Sequence, residues 1–163
     1  EPFLRHSPLF TKTKSINTLK MTNNKLYFHS QTDFVLKNED AIRDWIISSI
    51  NEEKKQLQEV NIIFCDDDSL LQKNKSFLNH DTLTDIITFD YSQLKNIAGD
   101  IFISVERVID NSKDFNVTFE QELNRVIIHG FLHLLGYDDK TDEERKIMRD
   151  KENYYLPKLI TNN

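Results

Sequence analysis

The sequence predicts an α+β domain: a single small four-stranded mixed sheet packed against about five helices, with one central helix carrying a metal site. Three observations carry this. Short β-branched blocks alternate along the chain with blocks whose apolar residues recur at helical spacing. Two of the strand blocks are separated only by a turn, which calls for an antiparallel pair. The block "RVIIHGFLHLL" is apolar on most sides, which places it in the middle of the packing.

A chain of 163 residues is long enough for one domain that buries about 70% of its unfolded surface. Gly 3 and Pro 3 imply short turns, and a single cysteine excludes both an internal disulfide and a cysteine zinc cluster. That fits a reducing compartment. Cys65 ends the apolar run "VNIIFC" and reads as a buried strand residue. The net charge of -6 argues against non-specific nucleic-acid affinity, which rests on neutralising phosphates, but leaves room for a local basic patch. No apolar run reaches the length of a membrane span, so a cytoplasmic protein without a membrane partner is expected.

Residues 1–20 hold Arg5, Lys12, Lys14 and Lys20 with no clear period. They are read as a poorly ordered extension ahead of a domain over 21–163. "KLYFH" then forms a short strand. Ile42, Trp45, Ile46 and Ile50 give an amphipathic helix opened by Asp40. "EVNIIFC" is a buried strand. "DDDSLLQKNKSFL" begins with acidic capping residues and predicts Leu70, Leu71, Phe77 and Leu78 on one helical face. "TDIITFD" (84–90) and "AGDIFIS" (98–104) make the antiparallel pair. Ser104 caps a helix with Val105, Val108 and Ile109. Thr118 with Gln121, and Thr141 with Glu144, are capping-box pairs that start the last two helices. Phe119, Leu123, Val126, Ile127 and Leu134 supply the core face of the first of these, and the second ends near Pro157.

The chemistry concentrates in "HGFLHLLGYDD". His129 and His133, four apart on a helix, lie on one face and can converge on one ion. Gly136 ends the helix where φ must turn positive, and that reversal can swing Asp139 back towards the histidines. Two imidazoles and one carboxylate leave a position open, the layout of a catalytic rather than a structural zinc site. The spacing is that of H-E-x-x-H-x-x-G-x-x-H peptidases, but Gly130 stands where they carry the glutamate base and Asp139 where they carry the third histidine.

The sequence resembles the YbeY family of metal-dependent endoribonucleases, also called rRNA maturation factors. "HGFLHLLGYDD" matches that family's H-G-x-L-H-L-x-G-Y-D-H except at the last position. "TDIITFD" resembles its T-D-V-L-S-F-P, and "GDIFIS" its G-D-I-x-I-S. The motifs occur in the family's order, and the resemblance covers about Met21 to Leu156. It implies one Zn2+, or another divalent metal, held by His129, His133 and Asp139. It also implies RNA as substrate, and a role in small-subunit rRNA maturation and ribosome quality control with the small subunit or a ribosomal protein as partner. Two departures stand out. Asp139 replaces a histidine, and Leu78 stands where the family carries an arginine six residues before "TD". Replacements for that arginine are His80, Lys73, Lys75 or Arg125, each with the competing reading of a solvated residue.

Asp85, within the "TD" motif, is the candidate catalytic residue, with a turn cap as the competing reading. Asp100 reads as a strand-start cap, and Tyr137 and Asp138 as anchors of the turn or partners of a ligating histidine. The acidic run Asp66–Asp68 reads as a helix start, and His6 and His29 as surface residues. Arg145, Lys146, Arg149 and Lys151, interleaved with Glu143, Glu144, Asp150 and Glu152, read as ordinary ion pairing along the last helix. Two functions remain beside a single-strand-type endoribonuclease: a metallopeptidase with an unconventional base, which Gly130 opposes, and a non-catalytic, metal-stabilised ribosome-assembly factor.

Overall fold

Four strands and five helices follow one another in a computed structural model that describes residues 25–78 and 84–160. They are β1 (Leu26–Ser30), α1 (Glu39–Glu52), β2 (Gln56–Cys65), α2 (Asp67–Leu78), β3 (Ile86–Asp90), β4 (Asn96–Ser104), α3 (Val105–Asp114), α4 (Phe119–Leu134) and α5 (Asp142–Tyr155), which runs into a 3-10 turn, Leu156–Lys158. Residues 1–20, His6 and His80 lie outside the described residues.

The sheet order is β1-β2-β4-β3. β1, β2 and β4 are parallel, and β3 is antiparallel to β4, with Ile86 opposite Ile103 and Asp90 opposite Gly99. The turn between them is closed by Gln93 pairing with Asn96 around Leu94 at φ 56°. The pleat sorts side chains between two cores because successive residues point to opposite faces. Val60, Ile62 and Phe64 with Ile97, Ile101 and Ile103 face α1 and α4, whereas Cys65, Ile87 and Phe102 meet Leu70 of α2 on the other face. Cys65 is fully buried, and burial pushes its thiol up to about 11, as the inert strand reading requires.

Helix starts follow the capping chemistry. The Ser104 hydroxyl accepts from the Arg107 amide, and both Thr118/Gln121 and Thr141/Glu144 form reciprocal capping boxes. Asp66 accepts from the Ser69 amide at 2.8 Å, and Asp67 pairs with Arg107 at the same distance, so the acidic run is indeed a helix start.

Two expectations are corrected. The apolar face predicted for α2 is narrower: Leu70 is buried, Leu71 is only half-buried and Phe77 is 67% exposed. α2 covers one end of a sheet face and has only a small core to meet, so Phe77 reaches no further than an edge-on contact with Phe89 at 5.7 Å. Asp100 is not a strand start. It sits in the middle of β4 and accepts from the Asn61 side chain at 3.1 Å, while Asn61 also meets His29 at 2.9 Å.

Helix α4 lies across the larger core at a distance set by a missing side chain. A Cβ on Gly130 would come within 2.9 Å of Ile86 Cδ1 and 3.1 Å of Ile101 Cγ2. Position 130 therefore faces the sheet, and the glutamate that peptidases carry there has no room. Gly130→Glu forces a charged side chain into this seam, and overpacking with a buried charge should cost about 3 kcal/mol or more. Urea unfolding measures this. A variant as stable as the wild type would show that the seam can open.

Candidate metal centre

The helical period that turns Gly130 to the sheet turns His129 and His133 to the flank, one turn apart on α4. The helix then ends as its sequence demands. Leu135 and Gly136 amides close the last turn, Gly136 takes φ 106°, and the Tyr137 amide returns to Leu132 O at 3.0 Å. This reversal brings Asp139 back to the helix. His129 Nε2 and His133 Nε2 lie 3.0 Å apart, and Asp139 Oδ2 lies 3.3 Å from the first and 3.4 Å from the second.

The outer nitrogens decide what those three atoms are. His133 Nδ1–H donates to the Tyr137 carbonyl at 2.9 Å, and His129 Nδ1–H donates to Glu152 Oε2 at 2.7 Å. A carbonyl and a carboxylate can only accept, so each ring, when neutral, places its proton on Nδ1 and a lone pair on Nε2. Two imidazole lone pairs and a carboxylate oxygen thus converge with no donor among them, which calls for a cation. A point equidistant from three atoms at these separations lies about 1.9 Å from each, just inside zinc–nitrogen and zinc–oxygen bond lengths of about 2.0–2.2 Å. The three residues therefore fit a divalent ion and are a group that could hold one.

The surroundings tune the pair unequally. Burial lowers His129, but the hydrogen bond and charge of Glu152, helped by Asp139 and Asp85, outweigh it and leave His129 above its ordinary value. Burial and the charge of His129 together lower His133, against the opposing pull of Asp139.

Beside the three residues lies a cleft of about 570 Å³ whose walls include Asp85, Asn111, Phe115, Glu122, Arg125, His129, Asp139, Arg145, Arg149 and Glu152. The Asp85 carbonyl accepts from the Ser104 amide at 3.0 Å, extending the β3–β4 ladder, and its side chain meets Asn111 of α3. Burial raises its pKa, against the influence of His129 and Asn111. Asp100 and Lys73 belong elsewhere: Lys73 sits over the Phe102 ring at 4.8 Å, on the α2 face of the sheet. Asp138 is exposed.

Sequence reading missed Glu152. Its side chain is only 6% exposed and joins Arg125 at 2.8 Å to His129 at 2.7 Å. So α5 is not merely a ladder of surface ion pairs, although Lys146–Asp150 at 3.1 Å is one. The available signal was spacing, since Met148, Glu152 and Tyr155 are the buried residues of α5 and place an acid within an apolar stripe. Arg125 is a half-buried strut, bonded to Glu152 and Asn153, rather than a solvated cation. Glu122 was also missed; it is buried in the cleft, and burial, then Asp85, raises it.

Tyr137 takes both roles expected of it. Its carbonyl orients His133, and its hydroxyl donates to Glu53 Oε1 at 2.7 Å. Glu53, just after α1, also accepts from Tyr155 and, at 2.9 Å, from Lys151. Lys55 caps the α4 terminus by donating to Leu135 O at 2.8 Å.

The sequence matches the family described as endoribonuclease YbeY over residues 26–160. Proteins named endoribonuclease YbeY are similar over most of the chain. That of Flavobacterium johnsoniae is 56% identical over 125 residues, covering 77% of this chain and 90% of the relative. That of Amoebophilus asiaticus is 50% identical over 134 residues, covering 82% and 91%. The solution structure of a Thermotoga maritima protein matches with a TM-score of 0.59 at 28% identity, covering 82% of this chain and 88% of that one.

Two outcomes test the roles of the carboxylates. Glu152→Gln keeps the volume but removes the charge that orients His129, so metal affinity, read by competition with a chromogenic chelator, should fall about 10- to 100-fold. Unchanged affinity would remove Glu152 from the site. Burial raises Glu53, but the bonds from Tyr155, Tyr137 and Lys151 outweigh it and depress its pKa. A depressed carboxyl stabilises the fold above its unfolded value and loses that contribution as pH falls through the folded one. Stability measured by urea titration should therefore drop as pH goes below about 4.5, and Glu53→Gln should flatten that drop.

Proposed function

This chain belongs to the YbeY endoribonuclease family, and on that premise we propose that it is a zinc-dependent endoribonuclease that cuts single-stranded RNA in small-subunit rRNA maturation and ribosome quality control. The observation that carries the reading is the meeting of three electron-pair donors, His129 Nε2, His133 Nε2 and Asp139 Oδ2, beside a cleft of about 570 Å³. These three residues are the proposed ligands. Two nitrogens and one oxygen suit zinc, while the carboxylate also admits a harder divalent cation.

When bound, the ion supplies positive charge for a phosphoryl oxygen and acidifies water near neutral pH. The protein's own groups supply the rest. Glu152 and the Tyr137 carbonyl take the Nδ1 protons and hold both rings with Nε2 forward, the orientation a metal ligand needs. Asp85 is the proposed proton acceptor for the attacking hydroxyl, because burial makes its carboxyl more basic than an exposed one and it faces the cleft with His129. Phosphodiester cleavage expels an alkoxide rather than an amine, which fits a site with no glutamate at position 130.

Metal analysis of wild-type and His133→Ala chains tests the assignment, with about one bound ion expected in the first and loss in the second. Unchanged metal content sinks it. RNA cleavage by the same pair then decides the activity. A wild-type chain that binds metal but leaves RNA intact would favour the assembly-factor reading, and cleavage that survives the substitution would indicate contaminating nuclease.

A further inference from the structure

The cleft contains more than the proposed metal ligands and their supports. Three arginines face it, and their commitments differ. Arg125 is fully engaged, at 2.8 Å with Glu152 and 3.0 Å with Asn153. Arg145 bonds to Asp142 and to the carbonyls of Asp139 and Lys140, tying down the loop that carries Asp139. Arg149, one turn further along α5, has a side chain 58% exposed and meets Glu152 only at 3.5 Å. Among the described arginines of the cleft, its charge is the least committed to a partner and so the most available to an incoming anion.

Phe115, 62% exposed, lines the same cleft, as does Val117. The turn that presents this ring is built rather than loose. The Phe115 amide bonds to Asn111 O, Asn116 takes φ 58°, and the Val117 amide returns to Ser112 O at 3.0 Å. A large apolar ring exposed in a cleft that also holds a cation offers a stacking surface and a phosphate partner, the combination that recognises an unpaired nucleotide.

We infer that this cleft is a single-stranded RNA subsite in which Arg149 holds a backbone phosphate and Phe115 stacks a base. The inference rests on the endoribonuclease reading above and adds the residues that bind the strand. A duplex hides its base faces from Phe115, so the subsite selects unpaired strands.

The test is binding of a labelled 2′-O-methyl oligouridylate to the zinc-loaded protein, followed by fluorescence anisotropy across a salt series. Arg149→Gln should weaken binding about fivefold and flatten the log–log salt slope by about 0.7, the value for one phosphate contact on a single strand. Phe115→Ala should weaken it about tenfold at unchanged slope, and Phe115→Tyr should bind like the wild type. Lys146→Gln makes the same charge change on α5 at a residue paired with Asp150 outside the cleft, and should leave binding unchanged. Arg149→Gln behaving like Lys146→Gln, Phe115→Ala binding like the wild type, or a duplex competing as well as a single strand would each overturn the inference. Wild-type cleavage of RNA is scored separately. Binding as described without cleavage overturns the nuclease reading alone, and cleavage without these binding effects overturns the subsite alone.

Discussion

The structure depends on how closely helix α4 lies against β3 and β4. At two points along that seam a Cβ would not fit. One is Gly130, against Ile86 and Ile101, and the other is Gly99, where a Cβ would fall 2.9 Å from Leu134 and closer still to the Phe89 carbonyl. With hydrogens at both points the helix settles in one register and at one height. That register turns positions 130 and 134 to the sheet and positions 129 and 133 to the flank. The metal centre is thus a consequence of a packing constraint, because a helix lifted by one side chain would carry both histidines away from Asp85, Asp139 and Glu152. Gly130 answers why the peptidase base is missing: its position belongs to the core.

A second layer orients the pair of imidazoles as ligands would need to be. Glu152 and the Tyr137 carbonyl take the Nδ1 protons, and each is held by groups from elsewhere in the fold. Glu152 is buried, and a buried carboxylate must be paired to be tolerated; Arg125 and His129 do this. Tyr137 is fixed through its hydroxyl to Glu53, which also gathers Tyr155 and Lys151, while Trp45 Nε1 donates to Tyr155 O at 2.8 Å. The end of α1, the turn after α4 and the end of α5 therefore meet on one side of the site and restrain the loop that delivers Asp139.

Charge shapes the cleft that opens from this site. Asp139 in place of a neutral imidazole would leave an ion held there less positive by one unit, and Glu152, Glu122 and Asp85 add further acids. Against these stand three arginines on α4 and α5, two of them spent on holding the architecture together. A protein of net charge -6 can still meet a polyanion if its positive charge is local, since screening confines electrostatics to about 8–10 Å at physiological salt.

Most of the fold could be read from the chain because the signals are local. Period, capping boxes and the helix-ending Gly136 each act within a few residues, so the elements, the β3–β4 pair and the convergence of His129, His133 and Asp139 were legible. α2 was misread because an apolar residue buries only if something lies opposite, and Phe77 faces the edge of a small core. Glu152, Glu122 and the strut role of Arg125 were invisible for a related reason. A charged residue on an amphipathic helix looks the same whether its neighbour in space is water or an imidazole twenty-three residues away. What the sequence by itself determined was which atoms could bind a metal, because one helix and its terminal turn place them. Only the tertiary structure decided which nitrogens carry the lone pairs and which charges face the cleft, because those depend on partners from distant segments brought together by the seam at Gly130.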